Sequence, residues 1–334
     1  MLFRSIGAQA VLAWTFNSHV GGEEQALFGL LDHDGTASWK VAEFARIAAE
    51  FKQLSKFGFP RYTRPEVAIA YSFDSFIASH PNGPSSTTRQ YFKTPYANQV
   101  EEAFEPLFRA NLDVAFINIG NHELSRYKLI VVPADYVMDA AGAQALRGYV
   151  SGGGTVLMTA LSAKVDEHAQ WFETPLPGRL SDVFGLKTNE FYEVDSPLTF
   201  ELDGASVASG VRWYEVLEPS TATVLSRFTN TPDRTPAVTI NRFGKGNAIY
   251  LATESKASAI GPVLNSIYKM VGLQPGPRTP DGVYARVVDG RTLYVNTTER
   301  EQRIPIEGRR KGIVSTREYN GTLILGPWDA DLIH

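Results

Sequence analysis

The sequence predicts an α/β protein: a three-layer domain built on a largely parallel sheet, preceded by a short β/α segment and followed by a small antiparallel β segment. Three observations carry this reading. From residue 66 to about 272, apolar runs of strand length alternate with amphipathic helical stretches, the order that builds βαβ units. The run YKLIVVPA is apolar almost throughout, as a strand covered on both faces must be. After GLQPGPRTP the helical periodicity stops, and residues 282–334 read as short alternating strands.

Taken in order, AQAVLAWTFN (8–17) reads as a short buried strand, and Gly21 and Gly22 open a loop. FGLLDHDGTAS ends in turn chemistry at Asp34-Gly35, with Ser38 placed to cap a helix. Val41, Phe44, Ile47, Phe51 and Leu54 recur at three- and four-residue steps, and Gly58 with Pro60 ends that helix. GFPRYTRP reads as a linker. One strand and one helix before it are too little for a domain.

EVAIAYS is then a strand, and a Pro/Ser/Thr-rich loop spans 79–90. Tyr96 to Asn111 is an amphipathic helix with Val100, Ala103, Phe104, Leu107 and Phe108 on one face. DVAFINI and YKLIVVPA are strands. Asp139 caps a helix that stops at Gly152-Gly153-Gly154, and TVLMTAL follows as a strand. The three glycines follow a helix and precede a strand, so they are a helix stop and no phosphate cradle. AVTINRFGKGNAIYLAT reads as a hairpin turning at Gly244-Lys245-Gly246, and a helix runs from about 257 to 272. GVYARVVDG, RTLYVNTT, QRIPIE and TLILGPWDADLI are the closing strands.

Composition narrows the function. Hydrophobic residues are 43% and charged residues 20% of 334, with a net charge of −4, ordinary for a globular protein. There is no basic footprint for nucleic acid and no polybasic stretch for anionic lipid. The chain has no cysteine, which removes disulfides, thiolate zinc sites and cysteine nucleophiles. No apolar stretch is long enough to span a bilayer as a helix. The N-terminal residues read as a buried strand and not as a signal peptide. A cytoplasmic protein without cofactor or metal is expected.

Three stretches resemble one family. AWTFNSHVGGEEQALFGLLDHDGTASWKVAEFARIAAEF is similar to the last strand–loop–helix of the catalytic barrel in family-42 glycoside hydrolases, the β-galactosidases. RPEVAIAYSFDS through YVSGGGTVLMTALSAKVDEHAQWFETPLPGRLSDVFGL resembles that family's middle domain. The ending LGPWDADLI is similar to its small C-terminal domain. The resemblance implies a remnant of a TIM barrel at 1–60, a flavodoxin-like, glutamine-amidotransferase-like trimerisation domain at 61–275, and a small β domain at 276–334. It further implies a carbohydrate substrate, a homotrimer and glycosidase ancestry. Amidotransferase chemistry is excluded, since it needs a cysteine.

A whole (β/α)8 barrel takes about 250 residues, and only about 60 precede the linker here. The family's acid/base and nucleophilic glutamates belong to barrel strands 4 and 7, upstream of the matched stretch. A retaining glycosidase needs two carboxyls about 5–5.5 Å apart. The resemblance aligns Glu24 of GGEEQ with a glutamate that binds sugar hydroxyls, with Glu23 as its alternate. Glu23, Glu24 and Asp32 are the candidate catalytic acids of the segment, and Trp14, Asn17, His19 and Glu24 the candidate sugar contacts. Trp14 reads first as a packing residue and His19 as a hydrogen-bonded loop residue. Asp32, His33 and Asp34 read as a turn before a helix and not as a metal site.

A second candidate site lies where open parallel sheets bind ligands, beyond the carboxyl ends of the strands. Asp74, Asp135, Ser162, Lys164, Asp166, Glu167 and His168 fall there. A pair such as Asp74 with Asp135 or Asp166 has the chemistry for acid/base work, although acidic loops are also ordinary solvated structure. Three functions stay open: a glycosidase, a non-catalytic oligomerisation or carbohydrate-binding remnant, and a subunit that completes a separate barrel chain.

Overall fold

The computed structural model describes residues 10, 12–58, 61, 63–79 and 94–334. The chain divides into two compact units, one formed by Met1–Thr63 with Gly276–His334 and the other by Arg64–Pro275. Part of the first predicted strand, part of the linker and nearly all of the Pro/Ser/Thr-rich loop lie outside the described residues.

In the first unit, helix α1 (Trp39–Leu54) starts where Ser38 accepts the Lys40 amide. Its last residue, Leu54, joins a small cluster with Val288, Leu293, Val295, Ala330 and Leu332. The stretch expected to be a buried strand differs. Residues 12–17 form one isolated bridge, Asn17 to Leu31, and Leu12, Trp14 and Phe16 are 93%, 79% and 62% exposed. The physical reason is that a strand is made by its neighbours. Here the apolar run has one short partner, and a barrel strand needs one on each side.

The second unit holds a seven-stranded mixed sheet. Its first four strands in chain order, all parallel, are β1 (Val67–Ala70), β2 (Val114–Ile117), β3 (Leu129–Val132) and β4 (Thr155–Thr159). The intervening helices are α2 (Phe73–Ser79), α3 (Tyr96–Arg109) and α4 (Ala140–Gly152). Asp139 caps α4 by accepting the Gly142 amide, and Gly153, at φ 120°, ends it. A side chain at Gly153 would be strained at that φ.

After the short helix α5 (Ser181–Phe184), β5 (Leu186–Glu193) pairs antiparallel with β8 (Trp213–Pro219). Between them, β6 (Thr199–Leu202) and β7 (Ala205–Ala208) make a hairpin. Then β9 (Thr223–Arg227), β10 (Pro236–Phe243) and β11 (Gly246–Leu251) complete the large sheet, followed by α6 (Ala257–Val271). The sheet order is β2-β1-β3-β4-β11-β10-β9. The first five strands run parallel, with Val67 opposite both Val114 and Leu129, Leu129 opposite Thr155, and Thr155 opposite Asn247. β10 and β9 are antiparallel.

β1, β3 and β4 are buried at every residue, as their apolar runs require. Edge strand β2 is only partly buried. α3 and α6 pack together, and α4 lies against β4 and β11. The predicted hairpin, caps and helices of this unit are present.

The C-terminal part of the first unit is antiparallel throughout. β12 (Val283–Val288), β13 (Arg291–Asn296) and β16 (Ala330–Ile333) form one sheet, and β14 (Gln302–Lys311) and β15 (Glu318–Leu325) a ribbon. Among the described residues, no helix is long and apolar enough to cross a membrane.

Candidate functional site

The N-terminal loop gathers three of the predicted contacts around one oxygen. Glu23 and Glu24 open a short 3-10 turn. Glu24 Oε2 lies 3.4 Å from the Trp14 indole Nε1, which donates to it, and 3.4 Å from His19 Nδ1. The Trp14 and His19 rings meet edge to face at 6.3 Å. The loop is held by backbone bonds from Leu30 to Thr15 and from Leu31 to Phe16, and by Ser18, which accepts the Gly29 amide and donates to Leu31. All three clustered groups are solvent-facing, and Trp14 is not packed as its apolar surroundings in the sequence suggest. At this spacing and exposure, the carboxylate, indole and imidazole can together receive a polyol, with the ring face as platform and the carboxylate accepting hydroxyl protons.

The other predicted residues sit nearby in the chain in different roles. Asn17 enters through its backbone bridge to Leu31. Glu23 is exposed, next to Glu24 in the same turn. Asp32 closes the following turn through its backbone, its amide donating to the Thr36 carbonyl and its carbonyl accepting the Gly35 amide. Asp34 accepts the Thr36 hydroxyl and amide, and those bonds hold its carboxyl below the usual range. His33 Nε2 lies 2.8 Å from the Gln25 carbonyl. Among the described residues, no three His, Cys, Asp or Glu come together as metal ligands would.

The carboxyl edge of the parallel sheet holds the second group. Asp135, just past β3, is fully buried and accepts the Ser75 hydroxyl at 2.5 Å. Burial pushes its carboxyl up to about 7, against the pull of the Ser75 and Ser72 hydroxyls. Asp74, its predicted partner, is exposed on α2. Ser162 braces the same corner, accepting the Asp135 amide and donating to the Val132 carbonyl. Asp166 is a turn residue. The Gln170 and His168 amides bind its carboxylate and lower its pKa. Glu167 pairs with Arg179 at 2.9 Å.

Lys164 was predicted without its partner. Its ammonium and the Glu215 carboxylate, 2.8 Å apart, are 4% and 2% exposed. Burial pulls the lysine pKa down while Glu215 opposes the shift. Glu215 also accepts the Tyr250 hydroxyl and the Leu161 amide, at 2.7 and 2.8 Å. The pair forms the floor of a cleft whose walls include Tyr136, Trp171, Phe191 and Trp213. The one available signal for Glu215 was a charge inside the apolar strand WYEVL. Glu254 was also missed. It is buried beyond β11, accepts the Thr94 hydroxyl with one oxygen, has no partner for the other among the described residues, and is pushed up by burial.

The family model described as "Beta-galactosidase trimerisation domain" matches residues 65–274, well over half of the chain. The chain belongs to this family, glycoside hydrolase family 42. Its relatives include β-galactosidase BgaP of Planococcus sp. (strain L4), 25% identical over an alignment of 338 positions that covers 96% of this chain and 48% of the relative. β-Galactosidase Bga of Halorubrum lacusprofundi is 26% identical over 90% of this chain and 43% of its own length. The chain thus spans about half the length of the curated relatives it matches.

Solved structures with the same fold include the β-galactosidase from Bacillus circulans sp. alkalophilus. Its TM-score is 0.83 at 22% identity, over 96% of this chain and 49% of that one. The β-galactosidase from Halorubrum lacusprofundi gives 0.82 at 23%, over 96% and 47%. This family-42 chain therefore carries the trimerisation-domain match at 65–274 and spans about half the length of these structures.

Proposed function

We propose that this chain forms part of a β-galactosidase-type glycoside hydrolase and supplies one wall of its sugar pocket. The observation that carries the proposal is the convergence of Trp14 and His19 on the Glu24 carboxylate, in the loop whose GGEEQ sequence resembles the family's sugar-binding loop. Glu24 accepts hydrogen bonds from sugar hydroxyls, and Trp14 and His19 hold it and flank the ring. Asn17 lines the same loop. Glu23 and Asp32 are the other acids this segment offers for proton transfer. In this reading residues 1–60, with α1 as their helix, are the remnant of a barrel's last β/α unit. Its exposed Leu12, Phe16 and Trp39 are the face that further barrel strands and helices would cover. The middle unit, with its order β2-β1-β3-β4 and its packed helices, is read as the flavodoxin-like layer structure of the family, and it assembles the protein as a homotrimer.

The test is hydrolysis of an aryl β-galactoside by the purified chain, alone and mixed with the barrel half of a family relative supplied as a separate chain. Turnover is expected, and Glu24→Gln is expected to lower it about 10- to 100-fold, the loss of one charge-assisted hydrogen bond to the sugar. Unchanged turnover in the variant would remove Glu24 from the site. No turnover in either preparation would overturn the enzymatic reading.

A further inference from the structure

We propose that Lys164 is the nucleophile of a second reactive site, an amine that captures a small aldehyde as an imine at the floor of the cleft walled by Tyr136, Trp171, Phe191 and Trp213. The site lies wholly within Arg64–Pro275 and does not rest on the reading of the sugar loop.

Ion-pair energetics do not explain a lysine at this place. Taking two charges out of water costs about what their attraction returns, and apolar side chains of similar volume stabilise a core as well or better. Lys164 and Glu215 nevertheless sit at 4% and 2% exposure, and both line a cleft that reaches the surface at half-exposed Trp171. Lys164 follows β4, Glu215 is on β8 and Tyr250 on β11. The end of a parallel strand is where open sheets bind ligands. The loop that carries the lysine is also strained. Leu161 and Ala163 hold φ at 69° and 53°, values that residues with a Cβ rarely adopt. Leu161 thereby turns its amide onto the Glu215 carboxylate at 2.8 Å. Strain of this kind gathers at functional sites.

The arrangement has the parts an amine nucleophile needs. Burial lowers the Lys164 pKa against the pull of Glu215, and a lysine desolvated in an apolar pocket is the activated kind. Glu215, 2.8 Å away, can take its proton, and the Tyr250 hydroxyl orients Glu215 at 2.7 Å. The other bonds of Nζ, to Thr188 and Tyr250, are long at 3.3 and 3.4 Å and yield readily to an incoming atom. In the reaction, the Lys164 ammonium first passes a proton to Glu215. The Nζ lone pair then bonds to the carbonyl carbon, and the C=O π pair moves to oxygen, which takes a proton from nitrogen. The new hydroxyl takes the Glu215 proton and leaves as water while the nitrogen lone pair closes the protonated imine. Ammonium and aldehyde become iminium and water, Glu215 ends as carboxylate, and nothing is oxidised or reduced. The cavity measures about 40 Å3, room for about three waters, so the aldehyde is short. Its tail is apolar, to match the aromatic walls.

Reductive trapping of the full native chain tests this, with propanal as the probe, cyanoborohydride as the trap and peptide mapping by mass spectrometry. Each pH unit by which a lysine pKa is lowered multiplies its free-amine fraction about tenfold. The expected result is one propyl group on Lys164, gained at least about tenfold faster than on the exposed Lys52, Lys187 and Lys245. Lys164→Arg, which keeps a cation beside Glu215, should lose the fast labelling and leave the slow surface labelling as it was. The map of the wild-type chain decides the matter even where the variant fails to fold. Lys164 unmodified while the surface lysines react would overturn the proposal, and so would labelling of Lys164 only after unfolding in urea; either result makes the pair structural. Fast labelling that persists in a folded Lys164→Arg chain would place the reactive amine elsewhere and overturn it as well.

Discussion

The fully buried Asp135 gives this fold a stability that falls as pH rises. In the folded chain its carboxyl titrates at about 7, and in the unfolded chain near its ordinary value of 3.8. Below 3.8 both states hold the proton. Between 3.8 and 7 only the folded state holds it, so unfolding releases a proton and stability drops as pH increases. A difference of about three pH units, at about 1.4 kcal/mol each, makes the loss about 4 kcal/mol. Burial is the main cause, the Ser75 and Ser72 hydroxyls work against it, and Asp139 and Asp74 add to it. Exposed Asp34 and Asp166, whose pKa values are lowered, act in the opposite sense and below 3.8. The perturbation is Asp135→Asn, which keeps the shape and removes the titration. The assay is urea unfolding of both proteins at pH 4.5, 6 and 8, at one protein concentration. The stability of wild type relative to the variant should fall over this range by about 3 kcal/mol, the part of the loss that lies above pH 4.5. Parallel pH profiles for the two proteins would refute the reasoning.

Two further outcomes follow from particular contacts. Lys164→Met strands the Glu215 carboxylate in the interior and should cost about 3–5 kcal/mol by denaturant unfolding, whereas Lys164→Met with Glu215→Gln, which removes the charge and keeps an acceptor beside Leu161 and Tyr250, should recover part of that loss. Gly246→Ala places a Cβ 2.1 Å from the Gly154 carbonyl oxygen and 2.2 Å from that of Val150; separating backbone from backbone should lower stability by about 1–3 kcal/mol, read as a lower melting temperature.

Legibility in the sequence followed the range of the signal. Asp139 at the start of α4, Gly153 at its end and the Gly244-Lys245 turn of the β10–β11 hairpin are local chemistry, and each sits where the sequence placed it. So does β3, whose unbroken apolar run matches its complete burial. The β5–β8 ribbon left no comparable mark. Along β5 only Leu186 and Thr188 are buried, and what fixes it is pairing to a strand far along the chain. Residues 12–17 show the converse case, an apolar run that reads as a strand and lacks the neighbours to make one. At the candidate sites, Glu24, Trp14 and His19 lie within one short loop and were readable as neighbours, whereas the exposure of Trp14 was not, because its apolar surroundings read as a packed strand. Lys164 was readable as a residue near a strand end. Its partnership with Glu215 and Tyr250 was not, because that pairing exists only once β4, β8 and β11 are assembled.

The first unit is discontinuous, and that sets an order of events during synthesis. Leu54 leaves the ribosome long before Val288, Leu293 and Leu332, the residues that bury it. At about 5–20 residues per second, the wait is on the order of 10 to 50 s. During that interval Arg64–Pro275 is made in one continuous run and is complete at Pro275, ahead of the strands that bury Leu54, while α1 has its capped start and an uncovered end. Between Pro275 and the closing strands, one unit is able to form while the other is still unable to close. A chaperone that binds exposed apolar helix ends would find its target on the growing chain and lose it on release.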